Sequence, residues 1–507
     1  MALSGYRHLN VYYGDLHSHC GLSYGHGAVE DAYQNARLQL DFASVTPHTH
    51  WPDMPEGDDR LADVVAFHQE GFRGAAESWS HLQEITEAVH KDGEFVTFLS
   101  FEWHSMQHGD HNVYFKGSEG EIIRAANLSE MRVNLRRLAQ QGAQCLLIPH
   151  HIGYLSGYRG IRWEDFTSEF SPVVEMLSMH GLAESDDSPY PYLHTMGPRD
   201  GRSTMQCGLR LGKVFGVIGS TDHHSAHPGS YGHGRMAVWA TELSRDGIWE
   251  AIAARRTYAL TGDRIELAVS VNGQPMGSIL PPTRERWIDI SVTGGGTLDY
   301  VEVLHNNRAI HRWSAHECPR SITDEPVKVH LELGWGETKC NVDWQLELEV
   351  AAGRLLSVEP RFRGHTIVAR QSVEEEKYAF SSWERLGENK VRVNTRTWGN
   401  PTPATAAAQG VCLEILGEEN TQIRGRINGR EVQVAMGELR YGSRVGYLGG
   451  FLTPAFCFHR AVPRGEYSCH TSLQHQGNDI GRDWYYVRVC QKNGQWAWSS
   501  PVWVDAS

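Results

Sequence analysis

The sequence predicts an α/β half, residues 1–264, followed by a β-rich half, residues 265–507. Three observations carry this. Up to about residue 264, short β-branched or apolar runs alternate with longer amphipathic stretches, the pattern of βα units. From Ile265 onward the texture turns to apolar/polar alternation broken by turn signals, which reads as a β-sandwich. Histidine is equally uneven: of 28, twenty lie between His8 and His233 and eight in the remaining 274 residues.

In chain order, the strand candidates of the first half are NVYYGDLHSH, DFASVTPH, FVTFLSFEW, CLLIPHH, VVEMLSMH and VFGVIGSTDHH. Helical spacing marks AVEDAYQNARLQL after the first, SWSHLQEITEAVHK before the third, SEMRVNLRRLAQQ before the fourth and DGIWEAIAARR after the last. Such an order suggests a barrel or an open parallel sheet. In the second half IELAVSVNG, WIDISVTGGG, YVEVLHNN and WQLELEVAAG alternate with period two, and DWYYVRVCQKNGQWAWSSPVWV is aromatic and β-prone. GNPTPATAAAQG, residues 399–410, reads as a loop insertion or linker.

Each apolar run of the first half ends in residues able to bind a metal: His17 and His19, then His48, Glu102, His150, His180, and finally Asp222 with His224. Residues two apart on a strand point to the same face, so His17 and His19 can share one ligand. In a parallel βα barrel the C-terminal strand ends converge on one face. One histidine after one strand is ordinarily a satisfied loop or core residue. Six strand ends bearing imidazoles or carboxylates instead describe a polynuclear metal centre, which needs lone pairs from several directions.

The ordered stretches GDLHSH, TPH at Thr46–His48, FEW around Glu102, PHH at Pro149–His151 and GSTDHH at Gly219–His224 resemble the motifs of the polymerase and histidinol phosphatase (PHP) superfamily of metal-dependent hydrolases over about residues 10–264. More narrowly, YYGDLHSH, HNVYF, RRTYALTGDRI and the aromatic DWYYVRVCQKNGQWAWSSPVWV resemble a bacterial PHP-like family with an appended β-domain. The resemblance implies a distorted seven-stranded (βα) TIM-like barrel holding up to three metals. It implies that His17, His19, Glu102 and Asp222 hold one ion, that Glu102 bridges to a second held by His150 and His180, and that His26, His48 and His224 hold the third. Pro47 stands where the family usually carries an aspartate.

Around this set, His104, His108, His111, His151, His223, His227 and His233 touch substrate, orient ligating imidazoles or, taken one at a time, are better read as surface or structural residues. His111 and His227 are candidates for the acid that protonates a leaving group, beside Glu102 and Asp222 as catalytic carboxylates. Arg159, Arg162, Arg199, Arg202 and Arg210 follow the fourth and fifth strands, where guanidinium forks suit an anionic substrate or remain solvated loop charges. Glu175 lies inside the fifth strand and reads as an interior residue.

A net charge of −14 argues against a nucleic-acid partner. No apolar run approaches membrane-spanning length and MALSGYRHLN has no apolar signal core, so the expectation is a cytoplasmic protein without a membrane partner. Nine scattered cysteines without a CxxC pair are expected to be reduced thiols. There is no GxSxG elbow, no GxxxxGK[ST] loop, and no GxGxxG between a strand and a helix; TGGGT at Thr293–Thr297 falls between strands as a hairpin loop. The expectation is a hydrolase using a hydroxide held by two or three divalent transition ions (Zn, Mn or Fe), with an anionic small molecule or oligosaccharide as substrate, and the resemblance implies that the bond cleaved is a phosphoester. Two alternatives stay open. Sixteen tryptophans in a chain with a β-rich half fit a carbohydrate-active or other non-phosphate hydrolase or lyase, and a metal-stabilised binding protein without turnover fits the same ligands.

Overall fold

The computed structural model describes residues 3–190, 196–315, 325–338, 340–365, 377–400, 407–478 and 481–505. In the first half the strands are β1 (Asn10–Asp15), β2 (Phe42–Val45), β3 (His48–His50), β4 (Val96–Trp103), β5 (His111–Phe115), β6 (Cys145–Pro149), β7 (Val173–Ser178), β8 (Gly181–Leu182), β9 (Gly216–Gly219), β10 (Arg235–Ala240) and β11 (Thr257–Leu260). The helices are α1 (Val29–Arg37), α2 (Ala62–Glu77), α3 (Trp79–Val89), α4 (Leu128–Gln140), α5 (Met205–Arg210) and α6 (Arg245–Ala253). All six expected strand runs and all four expected helices are present; α2, α5, β5, β10 and β11 add to them.

Two of the helices, α4 and α6, begin at side-chain caps. Asn127 accepts from the Glu130 amide at 3.0 Å while the Glu130 carboxylate accepts from the Ala126 amide at 2.9 Å, a reciprocal arrangement that satisfies two otherwise orphaned donors. Ser244 caps α6 by accepting from the Gly247 amide at 3.0 Å.

The chain is a mixed α/β protein rich in sheet. β1, β2 and β4 pair in parallel, but β4–β5, β5–β6, β1–β10 and β10–β11 are antiparallel. β7 and β9 pair in parallel in a separate small sheet that also contains β8. The ladders thus do not draw the all-parallel sheet that the βα pattern suggested. Hydropathy reports which residues are buried, not which way a neighbouring strand runs, and β4 is buried along its whole length. β6 nevertheless borders β7, and β9 borders β10 and β11.

The large sheet does not stop at residue 264. β11 pairs with Trp496–Ser499, which pairs with Asp483–Gln491, which in turn pairs with Val502–Val504 and Leu298–His305. A four-stranded sheet built on Glu266–Val271 and Glu285–Thr293 packs over this region through Tyr13, Trp239, Leu267, Val269, Ile288, Ile290 and Val487. A nine-stranded antiparallel sheet, with long strands Val342–Arg361 and Gln409–Ile427, has its own core around Trp344, Leu346, Leu413 and Ile415. Of the proposed loop at 399–410, residues 401–406 lie outside the described residues, and Gln409 and Gly410 already belong to the strand.

Trp496, Trp498 and Trp503 are buried in the core, so these rings of the aromatic segment are packing residues and not a sugar-facing surface. The eight described cysteines are free thiols, and Cys318 lies outside the described residues. Among the described residues no helix is long and apolar enough to cross a membrane.

Candidate metal centre

The strand ends bring their polar residues to one buried point. His17 and His19 follow β1, His48 opens β3, Glu102 sits near the end of β4, His150 follows β6, His180 follows β7, and Asp222 and His224 follow β9. All eight are buried. The sets His19–His48–His224, His17–His19–Glu102 and His17–His150–Asp222 each place one donor atom per residue within 4.8 Å of one another. Backbone bonds lock the loops together: the His19 amide donates to the His223 carbonyl at 2.7 Å, and the Asp222 amide to the His17 carbonyl at 2.8 Å.

Two carboxylates divide the imidazoles between them. Glu102 Oε1 lies 3.1 Å from His150 Nε2 and 3.3 Å from His104 Nδ1, while Oε2 lies 2.9 Å from His48 Nδ1, 3.4 Å from His19 Nε2 and 3.5 Å from His17 Nε2. Asp222 Oδ1 faces His19 and His17 at 2.9 and 3.4 Å, and Oδ2 faces His180 and His151 at 3.2 and 3.5 Å. Burial alone would raise both carboxyl pKa values, but the surrounding imidazoles outweigh it and hold each well below its ordinary range. Conversely, burial would lower His17, yet Asp222 and Glu175 hold it well above the usual imidazole value. Burial, reinforced by His19, pushes His48 well below that value, and burial takes His224 to about 3.

The donor set fits divalent cations. His19 Nδ1, His48 Nε2, both nitrogens of His150 and Glu102 Oε2 are buried without a hydrogen-bond partner among the described residues, although Glu102 Oε2 is only 2.9 Å from an imidazole nitrogen. Buried polar atoms left without a partner are costly in a protein interior and become favourable around cations.

A surrounding layer holds the donors in place. Glu175 on β7 reaches His17 Nδ1 at 3.0 Å, leaving Nε2 to face the centre. Asp15 accepts from the His17 and Thr221 amides, both at 3.1 Å, and from Gly229 N at 2.7 Å, tying the loop after β1 to the loop after β9. Burial pushes its carboxyl up to about 6 despite these bonds. Tyr24 stacks on His48 at 3.7 Å, and His48 stacks on His19 at 3.8 Å. Asp222 and His151 have positive φ, 51° and 53°, a strained conformation for residues with a Cβ and one that concentrates at functional sites.

The remaining expected residues are placed as follows. His26 donates its amide to the His224 carbonyl at 2.8 Å, and its half-buried ring lies 6.5 Å from Tyr378. His111 Nδ1 is 2.9 Å from the Gly109 carbonyl, and burial lowers its pKa to about 3. His227 lies between His223 and Phe380, with a pKa also lowered to about 3 by burial. Burial thus favours the neutral form of both imidazoles. Of the arginines, Arg159 reaches the centre: it pairs with Asp110 at 2.5 Å and lies 3.1 Å from His104 Nδ1. Arg162 faces Asp165 at 3.5 Å, Arg199 donates to the carbonyls of Leu182 and Asp186, and exposed Arg202 pairs with Asp200. Arg210 ends α5. Tyr24, Asp15 and Asp110 were not singled out from the sequence, although Asp15 lies within GDLHSH and Asp110 adjoins His111.

Comparison with known proteins finds a family model described as "Protein of unknown function (DUF3604)" that matches residues 230–274. An uncharacterized protein of Chlamydia pneumoniae is 22% identical over 250 residues, covering 46% of this chain and 40% of that protein. An uncharacterized protein of Chlamydia muridarum is 27% identical over 169 residues, covering 30% of this chain and 27% of that protein. The chain thus spans well under half the length of these relatives. A crystal structure of a two-domain protein from Bacteroides vulgatus ATCC 8482, containing a predicted PHP-like metal-dependent phosphoesterase, aligns with 86% of this chain and 97% of its own. Its sequence identity is 13% and its TM-score 0.30, a likeness too low to carry an argument.

Proposed function

We propose that the chain is a metal-dependent hydrolase of the PHP type acting on a phosphoester. The observation that carries this reading is the buried convergence of His17, His19, His48, Glu102, His150, His180, Asp222 and His224 from six strand ends, several of them with buried donor atoms that have no hydrogen-bond partner among the described residues. Two or three divalent ions fit the set, and a mixture of imidazole and carboxylate donors favours Zn, Mn or Fe over Mg or Ca. Bound ions of this kind acidify water and offset charge developing on a substrate oxygen.

The chain's own residues do the rest. Glu102 and Asp222 each present two oxygens to different imidazoles, which suits carboxylates shared between neighbouring cations. Glu175 orients His17, and Asp15 keeps the two ligand-bearing loops in register. Arg159 offsets the charge of Asp110 at the edge of the cluster and is the guanidinium best placed to meet an anionic substrate. The same reading takes residues 1–264 as a distorted barrel, supported by the approach of β6 to β7 and of β9 to β10 and β11, and residues 265–507 as an accessory β-rich part.

The test is a panel of aryl phosphomonoesters, phosphodiesters, glycosides and carboxylic esters, assayed with protein of known metal content. Phosphoester turnover that disappears in Asp222→Asn supports the reading. Turnover confined to glycosides or carboxylic esters overturns the substrate class, and no turnover by metal-loaded protein overturns the hydrolase.

A further inference from the structure

Far along the chain from the metal ligands, three sheets meet around a second polar cavity of about 220 Å³. Its walls come from the Gly295–Thr297 loop, Lys328 and His330, Arg361, Cys412, His459 and Arg460, and the hairpin residues Lys492 and Asn493. Four cationic side chains and two imidazoles line it, and no carboxylate does.

The acids that balance these cations stand behind the wall. Arg361 meets Asp263 at 3.1 Å, Arg460 meets Glu466 at 2.5 Å, and His459 meets Glu332 at 2.7 Å. Lys328 differs. Its ammonium donates to the Gly294 carbonyl at 2.6 Å and lies 4.7 Å from the Tyr467 ring, with no carboxylate in ion-pair reach among the described residues. Arg361 is 2% exposed, donates from Nη2 to the Gly295 carbonyl at 2.8 Å, and faces Glu359 with its buried Nε at 3.5 Å. Arg460 Nη2 donates to Thr297 Oγ1 at 2.9 Å, which brings a second guanidinium to the same Gly-rich loop.

We infer that this cavity binds a small oxyanion of the phosphate type, free or as the head of a small phosphoester, with Lys328 as the point charge and Arg361 and Arg460 as forked donors. A half-buried ammonium without a carboxylate partner is costly in the interior, and an oxyanion supplies the missing charge. At about 220 Å³ the cavity is smaller than the roughly 300–1,000 Å³ of pockets for drug-sized ligands, a size that suits a single phosphate group. An anion here would join the Gly-rich loop, the nine-stranded sheet and the hairpin at Lys492, linking sheets that otherwise meet through side chains. This inference is independent of the reaction proposed for the metal centre.

Calorimetric titration of the full chain with inorganic phosphate tests it, comparing the parent with Lys328→Met at equal metal content. Phosphate held at the metal centre contributes equally to both proteins, so their difference isolates the cavity. The expected result is a saturable event in the parent that weakens in Lys328→Met by roughly ten- to a hundredfold, the loss of one charge-assisted contact. Identical isotherms for the two proteins, or no saturable phosphate binding by the parent, overturn the inference. Should Lys328→Met fail to fold, Arg460→Gln, which leaves the ammonium in place, is read by the same comparison.

Discussion

Glu175 holds His17: a carboxylate on β7 lies 3.0 Å from the Nδ1 of an imidazole 158 positions earlier in the chain, and both side chains are buried. The contact sets which nitrogen of His17 faces the other donors. Glu175→Gln keeps the shape and removes the charge, so metal affinity should fall by roughly ten- to a hundredfold, as such supporting changes do. Competitive titration against a chelating dye measures it, with circular dichroism confirming the fold. An affinity equal to the parent's would show that Glu175 only fills space.

Glu102 faces five imidazoles across its two oxygens. Gently purified protein should carry two to three equivalents of divalent transition metal by elemental analysis. Glu102→Ala should lose at least one equivalent together with activity. Less than one equivalent in the parent, even after incubation with Zn, Mn or Fe, would remove the metal centre from consideration.

Asp222 and His224 should separate in effect. Asp222 touches imidazoles from three strand ends at 3.5 Å or less, whereas His224 Nδ1 lies 3.8 Å from Asp222 Oδ1 and 2.8 Å from the Asp222 carbonyl. Asp222→Asn should cost turnover more than about a hundredfold, beyond the usual range for supporting residues, with the fold retained. His224→Ala should cost less and chiefly lower the number of bound ions. Near-parental turnover in both would make this loop structural.

The β-rich half should contribute no reacting group. His305 is held by Asp483 at 2.8 Å and stacks on Tyr485, His311 lies on an edge strand, and His470 is exposed. Alanine at each of the three should leave turnover within about tenfold of the parent, a barrier change of no more than roughly 1.4 kcal/mol. A thousandfold loss at any of them, with metals still bound, would place catalysis across both halves. His316 lies outside the described residues.

Trp498 gives a stability prediction. Its ring is fully buried and its indole N–H donates to Glu184 at 3.1 Å. Trp498→Ala should destabilise the chain by about 3–5 kcal/mol, measured by denaturant unfolding, through the cavity and the lost contact. A loss under about 1 kcal/mol would mean that the site collapses readily around the gap.

The residues that converge on the buried centre were legible because their signal is local. A histidine or acid at the end of an apolar run can be read within ten residues, and period two places His17 beside His19. Strand direction was not legible: HNVYF is β5, antiparallel to β4 and β6, yet nothing in its five residues encodes a partner. Long-range supports were equally hidden. Glu175 could be read as interior, but that its partner would be His17, and that Asp15 would bridge to Thr221 and Gly229 more than 200 positions away, follows from tertiary closure alone. The arginines fared differently because a loop charge finds whichever carboxylate or carbonyl lies nearest, as Arg162, Arg199 and Arg202 do.

The Val217 amide on β9 donates to Ser500 Oγ across 283 positions, and the edge of β11 is covered by Trp496–Ser499. On a ribosome adding roughly 5–20 residues per second, the interval between emergence of these two sides is about 15 s to a minute. For that time β11 offers an unpaired edge to any passing strand, the arrangement most prone to aberrant pairing. The interval is longest when translation is slow, so slow synthesis or scarce chaperones should lower the yield of folded chain through this edge.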